Sequence, residues 1–483
     1  MAMPRLKNRS GTPVSDEIID AISGGVAGRV IRPADLEYDV ARRIWNASGD
    51  KHPGLIVRCA GAADVVQAVK FARANDILVS VRGGGHNVAG RALSDDGLVI
   101  DLSSMRAVFV DPAKGTARVQ GGATLGDLDR ETHAFGLAVP AGVVSRTGIA
   151  GLTLGGGVGW LVRKYGLTCD NVLSLEIVTA DGKLLTASAD ENTDLFWALR
   201  GGGGNFGVVT SFLFRAHPVT NVFGGMIVHA RDNARDVIRH YRDFMTSAPE
   251  ELTAYAALIT TPDGHPAVAV IACYCGDPAE GKRVLRPLRE FGSPLMDAVQ
   301  LMPFPAMQKL LDGAFPDGTQ NYWKSDFVKE MSDEVIDLIV THANRMKSPL
   351  SAVVIEYYGG AAGRTGTSQT AFAQRQAEYD IGFMAQWTDP AEKEVHVAWA
   401  RDNSRRIAPA RKRRSSPEFP RRGKPGHDSS GVRSELCASC PSEEEIRSDK
   451  LLQYQPKHQA GGMIGRQFGR NCARVAVDRV YVW

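Results

Sequence analysis

The amino-acid sequence predicts an α+β protein made of two domains, followed by a tail that belongs to neither. Between about residues 55 and 216, short apolar strands alternate with an amphipathic helix and glycine-rich loops. From about residue 222, longer strand-like runs alternate with helices, which indicates an antiparallel sheet with helices on one face. After about residue 404 the chain is rich in Arg, Pro and Ser without any hydrophobic period, which is typical of a disordered basic segment.

The first half of the chain shows its elements most clearly. Residues 55–59 (LIVRC) and 77–84 (ILVSVRGG) have the composition of buried strands, and residues 62–76 between them have apolar side chains at helical spacing. The turn residues AKG at 113–115 and ADG at 180–182 predict two β-hairpins. The predicted divisions are a helical lead-in (1–50), a first domain (51–216), a second domain (217–404) and the tail (405–483).

The composition argues against several classes of protein. A formal net charge of +3 over 483 residues offers no general nucleic-acid-binding surface. No apolar stretch has the length of a membrane span or of a signal peptide. We therefore expect a cytoplasmic protein without a nucleic-acid or membrane partner. The seven cysteines form no disulfide framework and the histidines show no metal-ligand spacing, so no metal is expected. The CASC motif at 437–440 lies in the tail and is expected to bind nothing.

The densest motif is VRGGGHNVAGRALSDDGLVIDLSSM, at residues 81–105. A strand leads into three glycines, at positions 83–85, and then into His86 and Asn87. Consecutive glycines allow a sharp turn and let backbone N–H groups approach a pyrophosphate, since no Cβ intervenes. The alternative is a tight turn with an incidental histidine. The string LGGGVGW at 154–160 does not fit the dinucleotide-binding glycine pattern, so nicotinamide binding is not expected.

Three further stretches accompany this motif, at residues 121–142, 147–172 and 180–212. Together with residues 81–105 they resemble the FAD-linked oxidases of the p-cresol methylhydroxylase superfamily, in particular the berberine-bridge-enzyme-like, 6-hydroxy-D-nicotine oxidase-like branch. The resemblance extends from about residue 50 to about residue 402. It implies an FAD-binding first domain and a second domain whose antiparallel sheet binds substrate.

The resemblance also implies how FAD is bound. The histidine that matches His86 forms a covalent bond to the flavin 8α-methyl group, and the FAD contacts as a whole fall on Arg82, Gly83, Gly84, Gly85, His86, Asn87, Gly142, Thr147, Gly148, Gly151, Asp170, Asn171 and Val208. Doubly linked members have a cysteine at the position of Val144, so a single link is expected here. Cys169 is expected to be a packed core thiol. The glycine runs have a second interpretation, which is close packing of helix on sheet.

The implied reaction moves a hydride from a C–H next to O or N of a small metabolite to the flavin, which dioxygen then reoxidises to give hydrogen peroxide. Candidate catalytic residues are Tyr322 and Lys324 in NYWKSDF, and Glu356 beside Tyr358 in VVIEYYGG. Each pair is two residues apart and therefore lies on one face of a strand. In the family this sheet lines the exposed face of the flavin. The alternative is that all four are surface polar positions of a half-exposed sheet.

The resemblance ends abruptly after residues 396–402 (HVAWARD). In the family, an alanine-proline pair is followed eight residues later by asparagine-phenylalanine, whereas here residues 408–409 are followed at 418–419 by Glu-Phe. A shift of one base lets these codons encode Asn-Phe and forces a stop codon at residues 463–464. We therefore predict that the reading frame slips near Ala410. The rival interpretation of the whole chain is an inactive, frameshifted product that binds flavin at most.

Overall fold

A computed structural model describes residues 5–407 of the protein. Within these residues it confirms the predicted α+β fold, with sheets of four, five, two and eight strands. The strands are β1 (Arg29–Ile31), β2 (Leu55–Arg58), β3 (Val79–Arg82), β4 (Leu98–Asp101), β5 (Val108–Asp111), β6 (Thr116–Gln120), β7 (Leu137–Ala138), β8 (Val172–Val178), β9 (Leu184–Ser188), β10 (Val208–Arg215), β11 (His217–Pro218), β12 (Asn221–Ala230), β13 (Leu252–Thr260), β14 (Pro266–Tyr274), β15 (Met296–Asp297), β16 (Gln300–Pro303), β17 (Gln320–Val328), β18 (Ala352–Tyr357) and β19 (Tyr379–Trp387).

Helices connect the strands in both halves of the chain. The α-helices are α1 (Asp16–Ser23), α2 (Tyr38–Ala41), α3 (Ala62–Ala74), α4 (Leu125–His133), α5 (Ile149–Gly155), α6 (Val162–Tyr165), α7 (Thr193–Leu199), α8 (Ala234–Met245), α9 (Pro278–Arg289), α10 (Phe304–Gln308), α11 (Asp333–Ala343), α12 (Gly360–Arg364) and α13 (Lys393–Ile407). Single 3₁₀ turns span Ala47–Gly49, Thr168–Asn171, Arg231–Asn233, Asp312–Ala314 and Pro390–Glu392.

The first sheet has the strand order β1-β2-β4-β3, in which β4 pairs in parallel with both of its neighbours. Strands β2 and β4 each begin with three consecutive apolar residues, as expected of parallel strands covered on both faces. The apolar stripe of α3, which includes Val65, Ala68 and Ala72, packs in the same core. Strand β3 ends at Arg82, so the glycine-rich loop begins at the carboxyl edge of the sheet, where open α/β sheets bind ligands.

The second sheet has the order β5-β6-β10-β8-β9 and contains both predicted hairpins. Gly115 and Gly182 in their turns have φ of +61° and +75°, a region that L-residues with side chains rarely adopt. The turn chemistry therefore predicted these elements correctly. Strands β1–β11 are called the first half below. The lead-in at residues 1–50, predicted to be helical, also contributes strand β1 to this half.

The second half is built on the eight-stranded sheet of order β15-β12-β14-β13-β18-β19-β17, with β16 paired to β12, and all its pairings are antiparallel. One face packs against α8, α9, α11 and α13 and is called the helix side. The other face packs against Trp45, Val144 and Trp160 of the first half and is called the inner side. This confirms the predicted sheet with helices on one face.

The predicted tail lies almost entirely outside the described residues. Helix α13 continues through residues 405–407, and Ile407 is buried in the helix-side core. The proposed frame slip near Ala410 and the CASC motif lie outside the described part of the chain. Among residues 5–407, no helix combines the length and the apolar character that a bilayer span requires.

Candidate active site

The glycine-rich loop after β3 is held in direct backbone contact with the start of α5. A Cβ on Gly84 would lie 2.5 Å from the Cα and the N of Gly148, and a Cβ on Gly148 would lie 2.3 Å from the N of Gly84. Gly85 has φ of +69°. The close approach and the backbone conformation therefore both require glycine here. The structure thus brings together residues 82–87 and 147–148, two predicted cofactor segments that are about sixty residues apart in sequence.

His86, at the end of this loop, is buried and neutral. Its side chain stacks on the indole of Trp45, with ring centroids 4.2 Å apart and an interplanar angle of 12°. Within residues 5–407, neither ring nitrogen of His86 has a hydrogen-bond partner. Burial, with the nearby positive charge of Arg146, lowers the pKa of His86 to about 4. At neutral pH the imidazole therefore has an unprotonated ring nitrogen that is free to form a bond.

Three other predicted cofactor residues, Thr147, Gly151 and Gly142, lie in α5 or in the segment before it. Thr147 is buried, its N–H donates to the carbonyl of Val144 (3.1 Å), and its carbonyl accepts from the N–H of Leu125 (2.9 Å). Among residues 5–407, the space around Gly151 is open: apart from its chain neighbours and the backbone of α5, no atom lies within 4 Å of a Cβ built there, although its neighbours in α5 are buried. Gly142 packs against the side chain of Leu152. Thus Gly151 offers an uncovered backbone surface, whereas Gly142 serves close packing.

Asp170 and Asn171 have partners within the protein. The carboxylate of Asp170 accepts from the buried guanidinium of Arg375 at 2.5 and 2.7 Å. The amide of Asn171 donates to two carbonyls of the preceding turn, and its Oδ1 lies 2.7 Å from Nε2 of His217. Val208 is buried at the start of β10. Direct contact of these three residues with FAD stays a prediction.

A pair of buried carboxylates lies on the inner side of the eight-stranded sheet. Glu356 of β18 and Asp380 of β19 are directly opposite each other. The Tyr358 hydroxyl lies 3.2 Å from Oε2 of Glu356 and 3.4 Å from Oδ2 of Asp380, so it bridges the pair. Burial, together with the charge of Asp380, raises the pKa of Glu356 well above its usual range. Burial also raises the pKa of Asp380 to about 7. Near neutral pH the pair therefore retains a proton.

Aromatic contacts connect this carboxylate face to the first half. Tyr255, directly opposite Glu356 on β13, stacks on Trp160 with centroids 4.9 Å apart. Trp323 of β17 lies edge-on to Trp45 at 5.4 Å. Tyr358 packs in one cluster with Val158 of the glycine-rich segment before α6 and with Val162 of α6. Because Trp45 also stacks on His86, the carboxylates and the histidine face the same interface between the two halves.

Tyr322 and Lys324 lie on the opposite face of this sheet. They share one face of β17, as their two-residue spacing predicts, but Tyr322 packs against the helix-side core and its hydroxyl accepts from Nε of Arg401 in α13 (2.9 Å). Lys324 Nζ lies 5.9 Å from the centroid of the Tyr322 ring. These side chains point away from His86, so their position gives no support to the catalytic role predicted for them. Glu356 is the predicted catalytic residue that faces the interface.

Comparisons with known proteins assign this architecture to a family. Residues 53–188 match the FAD binding domain family. An FAD-linked oxidoreductase of Dictyostelium discoideum is 34% identical over 399 residues, which cover 81% of this chain and 86% of the relative. The chain belongs to the FAD-linked oxidoreductases of the p-cresol methylhydroxylase superfamily. The members of this family are enzymes. Membership therefore does not favour the rival interpretation, in which the chain is an inactive product.

Two solved structures show the same architecture as this FAD-linked oxidoreductase. The 6-hydroxy-D-nicotine oxidase of Arthrobacter nicotinovorans superposes with a TM-score of 0.74 at 30% identity, covering 80% of this chain and 86% of its own. The Physcomitrella patens BBE-like 1 protein superposes with a TM-score of 0.74 at 25% identity, covering 82% and 89%. The predicted branch, with its berberine-bridge-enzyme-like and nicotine-oxidase-like members, is confirmed.

The residues of the oxidoreductase fit the FAD that its family binds. His86 is buried and neither of its ring nitrogens has a hydrogen-bond partner within residues 5–407, and the absence of a Cβ at Gly84 and Gly148 permits the close backbone approach that a cofactor-binding loop needs. Sequence reasoning missed Trp45, Tyr255 and Asp380. The one charged residue in the mostly apolar run of β19 could have indicated Asp380, whereas nothing local distinguishes Trp45.

Proposed function

We propose that this oxidoreductase oxidises a C–H bond next to an oxygen or nitrogen atom of a small metabolite, with FAD linked covalently to His86 and dioxygen as the final acceptor. When bound, FAD supplies the redox chemistry by accepting the hydride and passing two electrons to dioxygen, which becomes hydrogen peroxide. The observation that carries the proposal is the buried, uncharged His86 in the loop of the matched FAD binding domain, with no hydrogen-bond partner on either ring nitrogen within residues 5–407.

Residues of the chain itself would accept the proton that the substrate releases. Oxidising an alcohol or amine carbon releases the proton of its O–H or N–H, and a buried carboxylate can accept it. Support for assigning this role to Glu356 and Asp380 comes from their position on the inner side of the sheet, which faces the interface that contains His86. The Tyr358 hydroxyl between them stabilises the charge that remains on the pair. The apolar rings of Tyr255 and Trp160 exclude water beside it.

The attachment is tested by replacing His86 with alanine. We expect flavin to be removed completely from His86→Ala by acid precipitation, whereas the unchanged protein keeps it, because alanine has no nucleophile. Intact mass of the denatured protein measures the link. His342→Ala is the matched control, since His342 is a second buried histidine with both ring nitrogens unpartnered within residues 5–407, located on the helix side. Flavin that stays bound to denatured His86→Ala would mean that another residue is the anchor.

The use of dioxygen is tested at Thr147, which we expect, from the resemblance to the family, to lie over the oxygen-reactive face of the flavin. Its small, β-branched side chain is buried beside the contact of Gly148 with Gly84. A leucine would fill the space that dioxygen needs, so we expect Thr147→Leu to slow reoxidation about tenfold, equivalent to ~1.4 kcal/mol of barrier. Chemically reduced protein mixed with aerated buffer reports the rate without a substrate. Thr147→Val, of similar volume, is the control, and equal rates in all three proteins would contradict the prediction.

A further inference from the structure

We propose that Trp45 is the positioning residue that orients the His86 imidazole for attachment to the flavin. This inference rests on the proposed function. The two rings are nearly parallel, with centroids 4.2 Å apart and an angle of 12°, and both side chains are buried. A buried histidine is usually oriented by a hydrogen bond to one of its ring nitrogens. His86 has no such bond within residues 5–407, so the stack with Trp45 takes over this function.

Trp45 can restrain His86 because Trp45 is itself fixed from three directions. Its indole Nε1–H donates to the carbonyl of Phe315 (3.0 Å) in the second half of the chain. Its backbone N–H donates to the carbonyl of Gly85 (3.1 Å), the residue before His86. The ring of Trp323 meets it edge-on at 5.4 Å with an angle of 71°. The indole plane is therefore set by contacts that do not involve the ring of His86.

The next residue, Asn46, holds the other end of the His86 loop. Its Nδ2 donates to the carbonyl of Val88 (2.6 Å) and to the carbonyl of Asn321 in β17 (2.9 Å). Its Oδ1 accepts from the N–H of Asn321 (2.8 Å). Residues 45–46 thus bind the loop at Gly85 and at Val88, on both sides of His86. Backbone position and ring plane are both determined by this one dipeptide.

The chemistry of attachment explains why a stack suits this histidine better than a hydrogen bond. Attachment joins a ring nitrogen of His86 to the carbon of the flavin 8-methyl group, and it breaks the imidazole N–H and one methyl C–H bond. The two hydrogens and their two electrons reduce the flavin, and dioxygen then removes them as hydrogen peroxide. The attacking lone pair lies in the imidazole plane, so tilting the ring turns it away from the methyl carbon. Stacking limits that tilt and occupies neither nitrogen.

The test compares the rate of covalent attachment in variants of the full chain. Each protein is incubated with FAD in air, and intact mass gives the covalent fraction over time, while absorbance of the native protein gives the FAD bound in total. We expect Trp45→Leu to bind FAD but to attach it about tenfold to a hundredfold more slowly, because the ring is no longer held in the attacking geometry. Trp45→Phe keeps a stacked ring and is expected to stay within about threefold of the unchanged protein. Should Trp45→Leu fail to fold, Trp45→Met carries the same expectation.

Trp387→Leu is the matched control. Trp387 is another buried tryptophan stacked on a histidine, with centroids 4.9 Å from His396 at 13°, but it lies in the helix-side core. We expect this variant to lose stability and to keep the normal attachment rate. Attachment at the normal rate in Trp45→Leu, or an equal slowing in Trp387→Leu, overturns the role of Trp45. Absence of covalent flavin from the unchanged protein instead overturns the proposed function, so the two failures are distinguishable.

Discussion

Replacing Glu356 with glutamine, or Asp380 with asparagine, is expected to lower turnover about 10²- to 10⁴-fold, the usual contribution of a positioned general base. Both amides keep the side-chain shape but cannot accept the substrate proton. The measurement is hydrogen peroxide release per flavin, with an alcohol or amine found by screening the unchanged protein. Glu378→Gln is the control, because this exposed carboxylate lies two residues before Asp380. Turnover within about threefold of the unchanged protein in both amide variants would remove the pair from the mechanism.

The pH dependence separates the two carboxylates. A base acts only when deprotonated, and burial raises the pKa of Asp380 to about 7, so kcat/KM of the unchanged protein should rise as the pH increases through about 7. The charge of Asp380 raises the pKa of Glu356 further. Asp380→Asn removes both the group whose pKa is about 7 and the charge that raises the pKa of Glu356, so the pH at which activity rises should change in this variant. A rise that stays at the same pH would show that Asp380 does not control it.

Whereas activity should rise as the pH increases, the free energy of unfolding should fall over the same pH range. In the folded protein the pKa values of Glu356 and Asp380 are higher than the values near 4 that these groups have in an unfolded chain. Protonation of the two groups therefore contributes fully to the free energy of unfolding below about pH 4. This contribution is lost as the pH rises through the higher folded-state values. The amide in Glu356→Gln cannot ionise, and we therefore expect this variant to have a higher free energy of unfolding than the unchanged protein at pH 8.

Replacing Gly84 with alanine is expected to abolish covalent flavin and to destabilise the fold by about 1–3 kcal/mol, the usual cost of overpacking. The new Cβ would lie 2.5 Å from the backbone of Gly148, and neither backbone is free to move as a side chain would. Denaturant unfolding and intact mass measure the two effects. Gly61→Ala is the control, since the backbone there is extended and, apart from the two adjacent residues, no atom of the described part of the chain lies within 4 Å of a Cβ. Normal flavin content and stability in Gly84→Ala would contradict the backbone contact.

The sequence by itself determined the helices, strands and turns that depend only on residues adjacent in the chain. The helical period of residues 62–74 and the turn residues near Gly115 and Gly182 led to the elements that the structure contains, because periodicity and turn conformation are local properties. The glycine–histidine loop at residues 83–86 was recognisable for the same reason. The long apolar strands of the second half indicated the antiparallel sheet and the helices on one face of it.

Only the tertiary structure decided which residues meet across the chain. Alternation along β17 placed Tyr322 and Lys324 on one face, but whether this face packs on helices or on the first half depends on the packing of the whole sheet. Asp380 reaches Glu356 because β18 and β19 pair in one particular register. Trp45 precedes His86 by about forty residues, and no local pattern links them. Pairing between distant segments is set by the burial of complementary surfaces, which no short stretch of sequence encodes.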